Sequence, residues 1–386
     1  MAAFTLKIPM GSEPIRVNAD QSLNVPDCPI VPFIEGDGIG PQIIAAMRDV
    51  VDAAVNKAYD KRRKIGWLEI YSGEKAAQLY DGEWYPTATL NAIKEFGVVI
   101  KGPEIIPIGE GFRSLNIALR HAFELYAVQR SIRCLKGMTS PVTAPEKIDV
   151  VIFRENSEDC YSGIEWKPNS PQAEKLIHFL QDEMGVKKIG FTDDCAIGIK
   201  HVSSEASKRL VRRAIRYAID HNRTSVTLAH KADLMKCTEG AFRRWGCEVA
   251  EKEFGAKSID EIAGMSLINP HNGATIVIND ILADRLLQKL LTHPENFSVI
   301  AALNMNGDYL ADMVTAQVGG IGMMPSANIG DSVAVFEVTH GPLPTFADKT
   351  KANPTAMILA GEMLLRYIGW DEAADIIIGE LGVGAF

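Results

Sequence analysis

Three groups of residues in this 386-residue sequence have types and spacings that could do chemistry. The first is basic: Arg113 and Arg120, followed by Arg130, Arg133 and Arg154. A guanidinium grips a carboxylate with a planar two-pronged fork, so several converging on one place suit a di- or tricarboxylate. Ser114 and Asn116 offer uncharged donors for a further carboxylate. The second group is acidic. Asp308 and Asp312 are four apart and share one face of a helix, and Asp284 stands just before an apolar stretch at 286–291. Oxygen donors without Cys or His beside them suit Mg²⁺ or Mn²⁺ rather than Zn²⁺. A lone Asp pair can equally cap a helix start. The third group is Tyr161 and Lys231, a hydroxyl that can deliver a proton and an amine that acts as a base when a metal lies near. Taken singly, each of these residues has an ordinary reading: a solvated Arg or Lys, a core Tyr.

The elements that must position them alternate apolar runs with amphipathic stretches, the α/β pattern. Residues 30–34, 97–101, 148–153, 225–229 and 297–303 read as buried strands. Residues 41–55, 171–184 and 204–221 carry apolar side chains at helical spacing. Pro41 suits a first turn, and Gly185 a left-handed cap. On 204–221, Arg209, Arg212, Arg213 and Arg216 lie opposite the apolar face and read as a solvated side. The strands end at or near Lys101, Arg154, Lys231 and Asp308, and ligands of open α/β sheets gather at such ends. Gly36-Asp37-Gly38-Ile39-Gly40 has GxGxG spacing and no acidic residue ending a clear second strand. It reads as a tight turn, not a GxGxxG Rossmann fingerprint.

Composition narrows the function classes. Hydrophobic residues make up 47% and charged residues 23%, with a net charge of −9. That charge argues against duplex nucleic acid, whose affinity rests on cations, and against an anionic membrane surface. No apolar stretch reaches the ~18–20 residues of a membrane span. Residues 1–9 lack the apolar core of a secretory signal. Six scattered cysteines without a CxxC pair read as reduced thiols, which places the protein in the cytoplasm.

The motifs occur in a telling order: Ile34 to Gly40, Lys101-Gly102-Pro103, the Arg113 to Arg120 block, Phe153 to Asp159, His230-Lys231, Asn306-Gly307-Asp308-Tyr309 and Thr339-His340-Gly341. From about Val25 to Trp370 the sequence resembles the bacterial isocitrate dehydrogenases of the isocitrate/isopropylmalate family of metal-dependent β-decarboxylating dehydrogenases. The resemblance implies an α/β fold with a large domain (1–125 and 319–386), a small α/β domain (126–158 and 204–318) and a dimer clasp (159–203). It implies a homodimer whose active sites use both chains. Ser114, Asn116, Arg120, Arg130 and Arg154 match the binders of isocitrate. Tyr161 and Lys231 match the proton-transfer pair, and Asp284, Asp308 and Asp312 match the Mg²⁺ or Mn²⁺ ligands, with Lys231 and Asp284 supplied by the partner. His340, Gly341, Thr345, Phe346 and Asn353 fall on the nicotinamide cofactor site. The implied reaction oxidises isocitrate at C2, releases CO₂ and protonates C3, giving 2-oxoglutarate.

Four departures fall on or near the cofactor side. Ile105 and Ile106 stand where the family usually has Thr, and Asp233 replaces the Asn of its HKxN motif. Pro342 to Phe346 replaces a segment ending in Lys-Tyr in NADP members or Asp-Ile in NAD members. The chain ends at Phe386, where the family continues with a helical segment that holds further NADP-phosphate contacts. With phosphate partners absent and no ribose-binding Asp, the expectation is weak discrimination leaning to NAD⁺ over NADP⁺. A paralogue acting on another 3-substituted malate, and a catalytically silent isocitrate-binding subunit, remain open. The complete acidic triad with Tyr161 and Lys231 speaks for activity.

Overall fold

The computed structural model describes residues 6–18, 22–105, 115–259, 264–347 and 352–382. Strands such as Ile30–Ile34 and Val299–Ala302 are apolar along their length because both faces are buried. Among the described residues twelve strands form one sheet. Across it they run Lys257–Ile259, Gly264–Ile268, Thr275–Leu282, Ser225–His230, Val299–Ala302, Asp149–Glu155, Ala127–Arg133, Pro325–Ile329, Ala334–Val338, Val98–Lys101, Ile30–Ile34 and Gly66–Glu69. The four strands from Thr275–Leu282 to Asp149–Glu155 are parallel. So are the four from Ala334–Val338 to Gly66–Glu69. The antiparallel strands Ala127–Arg133 and Pro325–Ile329 join the two blocks at the centre.

Helices cover both faces. Gly40–Ala58, Thr355–Tyr367 and Asp371–Glu380 pack in one core over the second block. Thr87–Phe96 lies over its other face. Ser204–Asp220 and Glu239–Phe254 cover one face of the first block, and Ala283–Thr292 and Asn304–Gln317 the other. Among the described residues no helix is long and apolar enough to cross a membrane.

The glycine-rich turn serves packing. Gly36 (φ +75°) and Gly38 (φ +58°) have no room for a Cβ, which would lie 2.3 Å from the Pro103 carbonyl oxygen and 2.1 Å from that of Pro342. The turn is thus wedged between two loops, as expected of a tight turn. Buried Asp37 accepts from the backbone N–H of Ile105 (2.7 Å) and Glu74 (3.1 Å).

Between residues 159 and 203 the chain leaves the sheet. Glu165–Trp166 and Ile197–Gly198 pair antiparallel, with the helix Pro171–His178 between them. The helix expected over 171–184 is shorter. Its last part, Phe179–Glu183, widens into a π-turn before Gly185 turns left-handed, a difference that helical periodicity cannot register over one turn. This excursion exposes Phe179, Met184 and, at 91%, Phe191.

Candidate active site

The antiparallel neighbours Ala127–Arg133 and Asp149–Glu155 present two arginines on one face. Arg130 sits opposite Ile152, two residues before Arg154 on the neighbouring strand, so the arginines are diagonal neighbours. They are only 7% and 6% exposed. The helix Asn304–Gln317 follows the strand Val299–Ala302 and carries Asp308 and Asp312 to them. Its close approach requires Gly307, where a Cβ would lie 2.7 Å from the Arg154 Cβ. Arg154 pairs with Asp308 and donates to Asn304 Oδ1 (2.8 Å). Arg130 Nη1 lies 3.5 Å from Asp308 Oδ1 and 3.4 Å from Asp312 Oδ1. Arg120, on the helix Leu115–Ala122, donates to Asn328 Oδ1 (3.1 Å) and faces Glu337 at 3.9 Å. Behind it, buried Lys101 stands 3.2 Å from both Glu104 and Glu337.

Electrostatics follow from this crowding of cations in a dry place. Burial pushes the Arg154 guanidinium down to about 10, with Arg130 and Arg120 adding to the effect and Asp308 opposing it. Arg130 is lowered for the same leading reason. The Tyr161 ring lies 5.5 Å from the Arg154 guanidinium carbon. Burial, a hydrogen bond with Tyr309 and the Asp308 charge push its hydroxyl up to about 12. The Tyr161 hydroxyl therefore stays protonated at ordinary pH.

Lys231 and Asp284 form a second cluster. Lys231 follows the strand Ser225–His230, and Asp284 lies in the first turn of Ala283–Thr292. Lys231 Nζ donates to Asp284 Oδ1 (2.9 Å) and to Asp233 Oδ2 (3.1 Å), which raises the ammonium's pKa. The unusual Asp233 thus acts on Lys231 directly. Among the described residues no hydrogen bond or ion pair joins the Lys231 or Asp284 side chain to the arginines.

The donor chemistry fits a hard divalent cation. Asp308 and Asp312 share a helix face, offer only oxygens and already draw guanidinium charge to them. One chain does not bring Asp284 to them. Among the described residues no three acidic, His or Cys side chains gather to hold a metal ion. The strand Thr275–Leu282, which leads to Asp284, and the strand Val299–Ala302, which leads to Asp308, have Ser225–His230 between them.

On the cofactor side, His340 is nearly buried and its Nδ1 lies 2.9 Å from the Gly341 carbonyl oxygen. Thr345 and Phe346 form a 3₁₀ turn, Pro344–Phe346, entered through Leu343 at φ +43°. Asn353 accepts from the Thr355 N–H (3.0 Å) and hydroxyl (2.6 Å) at the start of Thr355–Tyr367. Asn116 lies in the helix Leu115–Ala122. Ser114 and Ile106 lie outside the described residues.

Sequence reasoning missed the groups behind the site. Glu337, Glu104 and Asn328 brace Arg120 and Lys101, and Asp159, Lys200 and Glu239 form a further buried set. Their members come from distant segments, and no local spacing signals them.

An open α/β sheet that gathers buried arginines, two carboxylates and a tyrosine hydroxyl has the chemistry of the class of enzymes that act on small polycarboxylates. The chain belongs to the isocitrate/isopropylmalate dehydrogenase family, which it matches over residues 30–380. It is 56% identical over 374 residues to the NADP isocitrate dehydrogenase of Pseudomonas aeruginosa (strain UCBPP-PA14), covering 97% of this chain and 90% of that relative. It is 51% identical over 384 residues to that of Helicobacter pylori (strain ATCC 700392 / 26695), covering 97% and 90%. Among solved structures, it is similar to isocitrate dehydrogenase from Methylococcus capsulatus, with a TM-score of 0.69 and 33% identity over 90% of this chain and 87% of that one.

The Pseudomonas and Helicobacter relatives overturn the expected lean to NAD⁺, since both are named for NADP. The physical reason lies in what residues 342–346 lack. Thr345 removes a phosphate-binding cation but installs no carboxylate, and selection against a 2′-phosphate requires such a repulsive group.

Proposed function

We propose that this chain oxidatively decarboxylates isocitrate to 2-oxoglutarate, using NADP⁺ and Mg²⁺ or Mn²⁺. The observation that carries the reading is the convergence of Arg120, Arg130 and Arg154 with Asp308, Asp312 and Tyr161. The arginines hold the substrate carboxylates and orient C2 and C3, and their burial keeps these ion pairs strong. When bound, the divalent ion supplies Lewis acidity at the C2 oxygen and NADP⁺ accepts the hydride. Loss of CO₂ leaves an electron pair for C3. The Tyr161 hydroxyl, protonated far above neutral pH, gives C3 its proton, and Lys231 restores it.

Lys231 and Asp284 serve the site of a second copy in this reading. Their separation from the arginines supports a homodimer with shared sites, as do the apolar side chains exposed on the 159–203 excursion. The two parallel blocks then correspond to the large and small domains, and the excursion to the clasp. Purified protein with isocitrate, Mg²⁺ and NADP⁺ is expected to form 2-oxoglutarate, CO₂ and NADPH in equal amounts, and EDTA to stop it. Turnover that persists in EDTA, or that requires isopropylmalate in place of isocitrate, overturns the reading.

A further inference from the structure

Tyr161, Lys231 and Asp308 lie on three different elements: the turn Cys160–Ser162, the end of Ser225–His230 and the helix Asn304–Gln317. One ammonium touches the supports of all three. Lys200 Nζ donates to Asp159 and to Glu239 Oε1 (2.8 Å). Both carboxylates are wholly buried, and the lysine side chain is 19% exposed.

Each carboxylate spends its remaining capacity on the site's backbone. Asp159 accepts from the N–H of Cys160 (2.8 Å), the residue before Tyr161. Its other oxygen accepts from the N–H of Met305 (3.1 Å), in the first turn of the helix that carries Asp308. Glu239 Oε2 accepts from the N–H of Lys231 (2.9 Å) and from the Asn306 amide (2.9 Å). Asp159 also holds a backbone conformation, φ +76° and ψ −170°, that belongs to glycine. Such a conformation persists only where its surroundings over-determine it, and it tends to mark functional places. Without Lys200 two buried charges would lose their cation.

We propose that Lys200 is a positioning residue that sets Tyr161 through Asp159 and Lys231 through Glu239. This rests on the shared-site reading above, under which Tyr161 serves its own chain's site and Lys231 the partner's. Lys200 therefore bridges the two active sites of the dimer. It touches no substrate group, so its loss acts on turnover and leaves isocitrate binding to the arginines.

The test compares Lys200→Met and Lys200→Arg homodimers with heterodimers isolated through differently tagged chains. Lys200→Met is expected to lower kcat at least tenfold, with isocitrate affinity by calorimetry, in the absence of NADP⁺, unchanged within threefold. Lys200→Arg, which keeps the charge, is expected to recover most of the rate. A heterodimer of wild type with Lys200→Met is expected to fall below a quarter of wild-type kcat, because both sites are touched. A heterodimer with Glu239→Gln, which spares Asp159, is expected near half. A Lys200→Met kcat within twofold of wild type, or a loss confined to isocitrate affinity, overturns the positioning role. A Lys200→Met heterodimer at half activity overturns the bridge alone. A Tyr161→Phe and Lys231→Met heterodimer separates these outcomes from the underlying reading, which predicts one live site. A dead heterodimer refutes the shared site and the bridge with it. Should Lys200→Met not fold, Glu239→Gln homodimers carry the test: a fivefold loss of kcat at unchanged isocitrate affinity supports the proposal, and an unchanged kcat refutes it.

Discussion

Arg130 shows what burial does to an ordinary cation. Its guanidinium has little water left and two carboxylates within 3.5 Å, from Asp308 and Asp312. Those acids are the proposed metal ligands, so with a divalent ion in place they have another cation to face and Arg130 is free to hold substrate. Arg130→Gln is expected to cost about 2–4 kcal/mol of isocitrate affinity, within the span for breaking a buried charge pair. That is roughly 30- to 700-fold in KM at ~1.4 kcal/mol per decade. Steady-state kinetics against isocitrate measure it, and a KM within threefold of wild type would remove Arg130 from the pocket.

At the scale of an element, the helix Ser204–Asp220 is the clearest case of a sequence pattern becoming structure. Ser203 caps it, its Oγ accepting from the Ala206 N–H at 3.2 Å, and Leu210, Val211, Ala214, Ile215, Ala218 and Ile219 fill one core. Of the arginines expected to be solvated, Arg212 pairs with Glu253, while Arg209 and Arg213 pack on the Tyr126 ring instead. His221 ends the helix with its ring 4.1 Å from that of Tyr217. Burial lowers its pKa, outweighing Asp371 and Asp220, while Arg223 and Arg366 lower it further. The neutral ring is thus the folded form. Below the ordinary value near 6.5 the unfolded chain takes up a proton that the folded chain refuses, so this stability is present above about pH 6.5 and is lost as pH falls toward the lowered pKa. The melting temperature is expected to drop between pH 7 and 5.5, and His221→Gln to flatten that drop. An unchanged slope would mean that His221 titrates normally.

For the whole molecule, the question is how Asp284 meets Asp308 and Asp312. Among the described residues of one chain they do not gather as a metal-holding group, and the proposed C2 dimer would let each copy complete the other's site. Asp284→Asn and Asp308→Asn proteins are each expected to be inactive. Mixed and allowed to exchange subunits, they yield heterodimers with one intact site, up to about a quarter of wild-type activity for random pairing of copies. A verified heterodimer with no activity would count against the shared site.

Much of this was legible in the sequence because it depends on near neighbours. Periodicity gave the strands and helices, a four-residue spacing put Asp308 and Asp312 on one face, and charged residues at strand ends marked the edge where the site forms. The GxGxG segment declared itself a turn, and the two loops that pin Gly36 and Gly38 explain why only glycine fits there. Family motifs pointed to the family to which the chain belongs, whereas two positions at 345–346 misled about the cofactor because an absent attraction is not a repulsion. The tertiary structure alone decided what depends on register and long-range approach. The diagonal pairing that sets Arg130 beside Arg154 is a property of two strands, not of either. The cage of Lys200 by Asp159 and Glu239 joins segments 39 to 41 residues apart, and Met305 and Asn306 reach it from farther still. Such contacts form because the folded sheet brings strand ends to one edge, and the charges buried there must then find partners wherever the chain supplies them.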